Sequence, residues 1–328
     1  MSMSLLATAL VAAYVAASIG YVYRWRGATR YPNFSQYLRK SWPVFAPLNC
    51  LLYLSTRRYA RRPVLDATCL DGIAVVRERW TQIRDEALAV HRAGELDAAT
   101  RPGSVGYYDV GFRTFYRRGW KKFYLQWYGQ PHRSAQRLCP NTVAILRQVP
   151  GIRAAMFSVL PPGAELSLHS DPMACSFRYH LGLDTPGSDS CYIDVDGSRV
   201  SWRDGQDFVF DETYPHFARN DSERTRLILM CDVVRPMNAF GRLINVPYMA
   251  LVRAMAVPNT AEDRRGFFSW LFCAISPWRE AAVAYKQRHR RRYVLMKLLF
   301  NGALVSLAFL AVFAVLHSIE LTGLAATR

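Results

Sequence analysis

From Ile152 to Val234 the chain breaks into short segments separated by turn residues, and this rhythm limits the possible folds more than any other feature. Strand-like stretches fall at 152–160, 164–169, 176–183, 190–195, 199–203, 207–211, 214–219 and 225–234, with turns at Pro161-Pro162-Gly163, Asp196-Gly197 and Asp204-Gly205. Eight short strands at this spacing predict a β-sandwich or jelly roll. Upstream, Ile73, Val76, Trp80, Ile83 and Ala87 recur at helical spacing, so Asp71–Ala93 reads as an amphipathic helix ending near Gly94. Phe123–Tyr128 reads as an aromatic strand, and Thr142–Gln148 as a short helix stopped by Pro150-Gly151.

The two ends have a different character. Met1–Tyr23 carries no charge, and Leu298–Ile319 lies uncharged between Lys297 and Glu320. Each reaches the roughly 20 apolar residues needed to span a bilayer. No basic region precedes the first run, and Arg24, Arg26 and Arg30 follow it, so it reads as an anchor rather than a cleaved signal. The second run is preceded by Lys286, Arg288, Arg290, Arg291, Arg292 and Lys297. Both basic flanks face the segment between the spans, which puts that segment in the cytoplasm.

The formal charge of +17 is unevenly placed. Residues 1–151 hold 22 Lys and Arg against 8 Asp and Glu, residues 152–235 hold 8 against 13, and residues 236–297 hold 11 against 3. Basic charge beside apolar segments, with an acidic middle, fits an anionic lipid surface and argues against a nucleic-acid binder. Residues 24–63 read as a basic juxtamembrane linker, and residues 237–297 as basic interfacial helices. Seven scattered cysteines without a CxxC pair argue against a disulfide framework and a zinc site and favour a reducing compartment. No obligate protein partner is evident.

The chemistry concentrates near His169-Ser170-Asp171. In extended chain, side chains at i and i+2 point the same way, so His169 and Asp171 can meet one metal. His216 on a later strand completes two histidines and one carboxylate, the donor set of non-haem iron(II) oxygenases. The open positions call for a chelating co-substrate such as 2-oxoglutarate, whose distal carboxylate needs a cation. Arg226, ten residues after His216, suits that role. Arg178 and His180 share one face of a neighbouring strand. A di-iron desaturase is excluded, because no HxxHH box is present.

Residues 152–236 resemble the aspartyl/asparaginyl β-hydroxylase family. The likeness rests on His169-Ser170-Asp171-Pro172, Arg178-Tyr179-His180-Leu181-Gly182-Leu183, Phe210-Asp211-Glu212-Thr213-Tyr214-Pro215-His216 and Arg224-Thr225-Arg226. It implies a double-stranded β-helix over residues 64–236 with a helical N-terminal part, binding iron(II), 2-oxoglutarate and O2. By position, His169 and His216 match the family's iron histidines. Arg226 and Ser158 match the groups around the distal carboxylate, and Arg178 and His180 those around the metal-side carboxylate. Animal peptide hydroxylases of the family carry glycine where this chain has Asp171. Trp120–Tyr128, Cys139-Pro140 and the basic apolar tail extend the likeness towards bacterial lipid A acyl-chain hydroxylases. That implies hydroxylation at C2 of a secondary acyl chain of lipid A. The alternatives are a peptide hydroxylase of the same chemistry and a non-catalytic, membrane-bound ligand-binding protein.

Overall fold

The structure, a computed structural model, describes residues 3–109 and 111–326. The helices are α1 (Met3–Arg24), α2 (Phe34–Lys40), α3 (Ala46–Ser55), α4 (Ala74–Glu78), α5 (Trp80–Arg92) and α6 (Glu95–Thr100), then α7 (Arg113–Tyr116), α8 (Arg133–Leu138), α9 (Pro140–Arg147), α10 (Ala239–Arg253), α11 (Phe267–Arg288) and α12 (Arg290–Ala326). The strands are β1 (Val64–Leu65), β2 (Lys121–Trp127), β3 (Gln130–Pro131), β4 (Ile152–Leu160), β5 (Glu165–His169) and β6 (Ser176–Asp184), then β7 (Cys191–Val195), β8 (Ser198–Ser201), β9 (Asp207–Phe210), β10 (His216–Asn220) and β11 (Arg226–Val234).

All eight strands expected between 152 and 234 form, as β4 to β11. They divide between a major sheet, ordered β1-β9-β6-β11-β4-β2-β3, and a minor sheet, ordered β5-β10-β7-β8. This is the jelly roll of a double-stranded β-helix with flanking helices. The turn chemistry is visible in detail. Asp196 and Gly197, both at positive φ (53° and 87°), join β7 to β8 with Val195 paired to Ser198. That is the two-residue hairpin an Asp-Gly pair favours.

Alternation along the major sheet separates packing from chemistry. One face presents Phe123, Leu125, Phe157, Val159, Phe177, Tyr179, Leu181, Leu227, Leu229 and Cys231 to Ile83, Ala87, Val90, Val143, Ile145 and Leu146 of the helices. The other face carries Ser158, Arg178, His180, Arg226, Met230 and Asp232, paired across strands as Arg178 with Asp232 and His180 with Met230. It looks towards the minor sheet, so the apolar layer holds the scaffold and the opposite face is free for function. The helix expected over Asp71–Ala93 is broken at Arg79 into α4 and α5.

Two compact units are present: Tyr23–Cys273, and α1 up to Val22 together with the chain from Ala274 onward. Residues 24–63 prove to be part of the first unit rather than a linker. Ser170 N–H donates to the Lys40 carbonyl (3.0 Å), Asp211 N–H donates to the Pro63 carbonyl (2.9 Å), and Asn49 bonds both Pro172 and Ala174. The unit also runs past 236, because Trp127 donates to the Val252 carbonyl and α10 packs on α3. Among the described residues one helix, Met3–Arg24, is long and apolar enough to cross a membrane (mean hydropathy 1.9). The expected second span, 298–319, lies within α12, where the side chains at 304, 305, 308, 309, 312, 316 and 319 fall outside the described residues.

Candidate active site

β5 and β10 are antiparallel neighbours with His216 directly opposite His169. That register sets the two imidazoles side by side, their ring centroids 4.2 Å apart. Asp171 follows two residues after the strand and is pinned by its N–H to the Glu212 carbonyl (2.9 Å). The ligand atoms of His169, Asp171 and His216 all lie within 4.8 Å of one another.

Both histidines are set in the tautomer a metal requires. His169 Nδ1 lies 2.7 Å from the Ser167 carbonyl, and His216 Nδ1 lies 2.9 Å from the Tyr214 carbonyl. A carbonyl can only accept, so each Nδ1 carries the proton and each Nε2 is left with its lone pair. Burial holds both imidazoles neutral, pulling His169 down to about 3 and His216 to about 4. Asp171 receives Arg178 on Oδ2 (2.9 Å), while its Oδ1 lies 3.8 Å from His169 Nε2. One carboxylate oxygen is thereby oriented by the arginine and the other is turned to the histidines.

The cavity in front of this triad is lined by Ser158, His180, Trp202, Arg226 and Met230, with Phe112, Phe115, Trp120, Leu166 and Ile193 as apolar wall. Arg226 is buried at 2% exposure, donates to Ser158 Oγ (3.0 Å) and lies over the Trp202 ring. It has no carboxylate partner among the described residues, its Nε is unpaired, and burial pulls its guanidinium down to about 10. His180 is similar: Trp202 Nε1 donates to its Nδ1 (3.3 Å), so its Nε2 carries the proton, and that atom is buried without a partner. A buried cation and a buried N–H, both unanswered, are costly unless an anion joins them. The donor set thus fits a divalent metal beside a dicarboxylate.

Arg178 does not share this availability. Although it lines the cavity, its guanidinium is engaged by Glu212, by Asp171 and by Asp232 (3.1 Å). The structure makes it the clamp of the Asp171 carboxylate, not a free partner for a metal-side carboxylate. Burial pushes both Glu212 and Asp232 upward against that single cation. Glu212 and Asp232 were missed as site residues, yet a signal existed. Asp232 sits six residues after Arg226 on one strand, hence on the same face.

Support for the ligand loop comes from the segment after α1. Arg26, 8% exposed, donates to Asp211 Oδ2 (2.8 Å) and Thr213 Oγ1 (2.7 Å) and lies over the rings of Tyr53 and Tyr214. Arg235 grips the same Asp211 (2.7 Å). Tyr31 bonds Ser170, between His169 and Asp171 (2.8 Å). Burial favours the neutral form of Asp211, but Arg235 and Arg26 outweigh it and hold the carboxyl far below its usual range. Its contribution to stability is present above the unfolded value near pH 3.9 and is lost as the pH falls. Arg26→Ala should cost about 2–3 kcal/mol, less than a fully orphaned buried pair because Arg235 remains. The melting temperature should fall by roughly 5–10 °C, and metal affinity should drop through the loosened His216 loop. Thermal melts from pH 7 to 3 with a metal titration check this, and unchanged metal affinity would make Arg26 purely structural.

Residues 77–236 match the aspartyl/asparaginyl beta-hydroxylase family. The chain is 37% identical over 152 residues to the ornithine lipid ester-linked acyl 2-hydroxylase of Rhizobium tropici, covering 46% of this chain and 53% of that protein. It is 31% identical over 162 residues to the aspartyl/asparaginyl beta-hydroxylase of Homo sapiens, covering 48% and 20%. Among solved structures, a Pseudomonas putida prolyl-4-hydroxylase aligns with a TM-score of 0.32 at 20% identity, over 48% of this chain and 87% of that one. The chain therefore spans about half the length of the first relative and a fifth of the second.

Proposed function

We propose that the chain, whose residues 77–236 match the aspartyl/asparaginyl beta-hydroxylase family, is an iron(II)- and 2-oxoglutarate-dependent hydroxylase of a lipid acyl chain. The observation that carries the chemistry is the pairing of the His169–Asp171–His216 face, its two imidazoles neutral, with the uncompensated Arg226 in one cavity. Bound there, iron with 2-oxoglutarate and O2 supplies the oxidation of C–H to C–OH, with succinate and carbon dioxide as co-products.

The chain's own residues then have distinct tasks. His169 and His216 offer Nε2, Asp171 offers Oδ1, and Arg178 fixes the orientation of Asp171. Arg226 with Ser158 Oγ receives the distal carboxylate of 2-oxoglutarate, and His180 Nε2–H is a second donor in the same cavity. Phe112, Phe115 and Trp120 exclude water from the reacting C–H bond. Free space in the cavity is about 50 Å³, room for only a few water-sized groups.

The apolar wall suits an aliphatic chain better than a peptide loop, and the candidate anchor Met3–Arg24 would keep the site at a membrane. The lipid we favour is lipid A, hydroxylated at C2 of a secondary acyl chain, by a body on the cytoplasmic face of a bacterial inner membrane. A second reading, ornithine lipid as substrate, is favoured by the Rhizobium relative, which is named for that activity. The first test is binding and turnover. The detergent-purified full chain should bind one iron(II) and convert 2-oxoglutarate to succinate only with iron present. Iron-independent turnover, or no turnover with a range of bacterial lipids, would overturn the proposal.

A further inference from the structure

The helix α10 presents the wrong kind of outer face for a helix meeting water. Gly241, Asn245, Tyr248 and Val252 form its buried side. Outward it displays Phe240, Leu243 and Val246, 58%, 70% and 61% exposed. Positions three apart lie on one face of a helix, and on a solvated helix that face is ordinarily polar.

The helix α3 adjoins α10. Tyr248 bonds Asn49 (3.1 Å), Asn238 N–H donates to the Ser55 carbonyl, and Arg57 N–H donates to the Pro236 carbonyl. The end of α3 thus lies against the start of α10, with Leu54 71% exposed. Before α3, Trp42 stands half-exposed with a left-handed φ of 51°, a conformation costly for a large side chain. Val44 beside it is 75% exposed. Directly after α3 come Arg57, Arg58 and Arg62, exposed and with no carboxylate paired to them among the described residues.

We propose that the joined face of α3 and α10 is a docking surface for an anionic phospholipid bilayer. Unpaired guanidiniums beside exposed large apolar side chains match an interface with phosphate at headgroup level and hydrocarbon beneath it. Chain continuity agrees, since the candidate span α1 leads through Arg24 and Trp25, the latter 68% exposed, directly into this unit. The inference goes beyond the lipid-hydroxylase reading and does not depend on it: it concerns how the body sits, whatever the site oxidises.

The test uses the full chain in nanodiscs holding a phospholipid with a photoreactive acyl chain, in either anionic or zwitterionic lipid, with the sites read by peptide mass spectrometry. Crosslinks are expected in 42–54 and 240–246 in anionic discs. They should fall by at least about tenfold in R57E/R58E/R62E or in zwitterionic discs, while those within Met3–Arg24 persist. An unchanged melting temperature of the triple variant keeps misfolding from imitating the result. Label confined to Met3–Arg24, or label in 42–54 and 240–246 that is the same in anionic and zwitterionic discs, would overturn the proposal. Because no turnover is read, failure of the hydroxylase reading would leave the outcome unaffected.

Discussion

Arg226→Leu should raise the 2-oxoglutarate requirement at least about a hundredfold while leaving iron bound. The guanidinium is buried beside Ser158 Oγ, without a carboxylate partner among the described residues. Its loss would leave a co-substrate carboxylate buried and unpaired, a penalty on the order of 3–5 kcal/mol, and every 1.4 kcal/mol is about tenfold. A second consequence separates this role from a structural one. In the free protein the buried cation is a burden, so the leucine variant should melt at an equal or higher temperature. Co-substrate titrations alongside melting curves check both. An unchanged requirement would transfer the role to another cation. Arg224 is a poor candidate, being exposed and paired with Asp184.

Asp171→Ala should abolish tight iron binding and reduce turnover by at least about a thousandfold, since only two neutral histidines would remain. The change also leaves Arg178 clamped only by Glu212 and Asp232. Asp171→Asn keeps the shape but gives up the charge, and should bind iron more weakly than wild type and better than the alanine variant. Full activity in Asp171→Ala would remove this residue from the ligand set and leave a two-histidine site.

The β-core was legible because its signals are local. Gly163, Gly197 and Gly205 all adopt positive φ at the expected turns, and strand alternation sorts Phe177, Tyr179 and Leu181 from Arg178 and His180 without any long-range knowledge. The convergence of His169, Asp171 and His216 was legible for the same reason: one tripeptide and one histidine on a later strand. Residues 24–63 were not. An arginine after an apolar run looks the same whether it meets lipid phosphate or, as Arg26 does, an aspartate 185 positions away. The duty of Arg178 was hidden likewise, because its availability depends on three carboxylates brought in from β11 and from the loops around Asp171 and Glu212. Phe112 and Phe115 of the aromatic wall sit at and within α7, a single short turn of helix whose pattern carries no period to read.

The most direct measurement of the central claim is the product itself. The chain would be expressed in a bacterium lacking such a hydroxylase, grown under ¹⁸O₂, with lipid A and ornithine lipid fatty acids analysed by mass spectrometry. The account predicts one labelled oxygen at C2 of an acyl chain, absent in the Asp171→Ala strain. Unmodified acyl chains in every lipid class, from cells whose purified enzyme still turns over 2-oxoglutarate with iron, would contradict the lipid substrate and leave a peptide as the target.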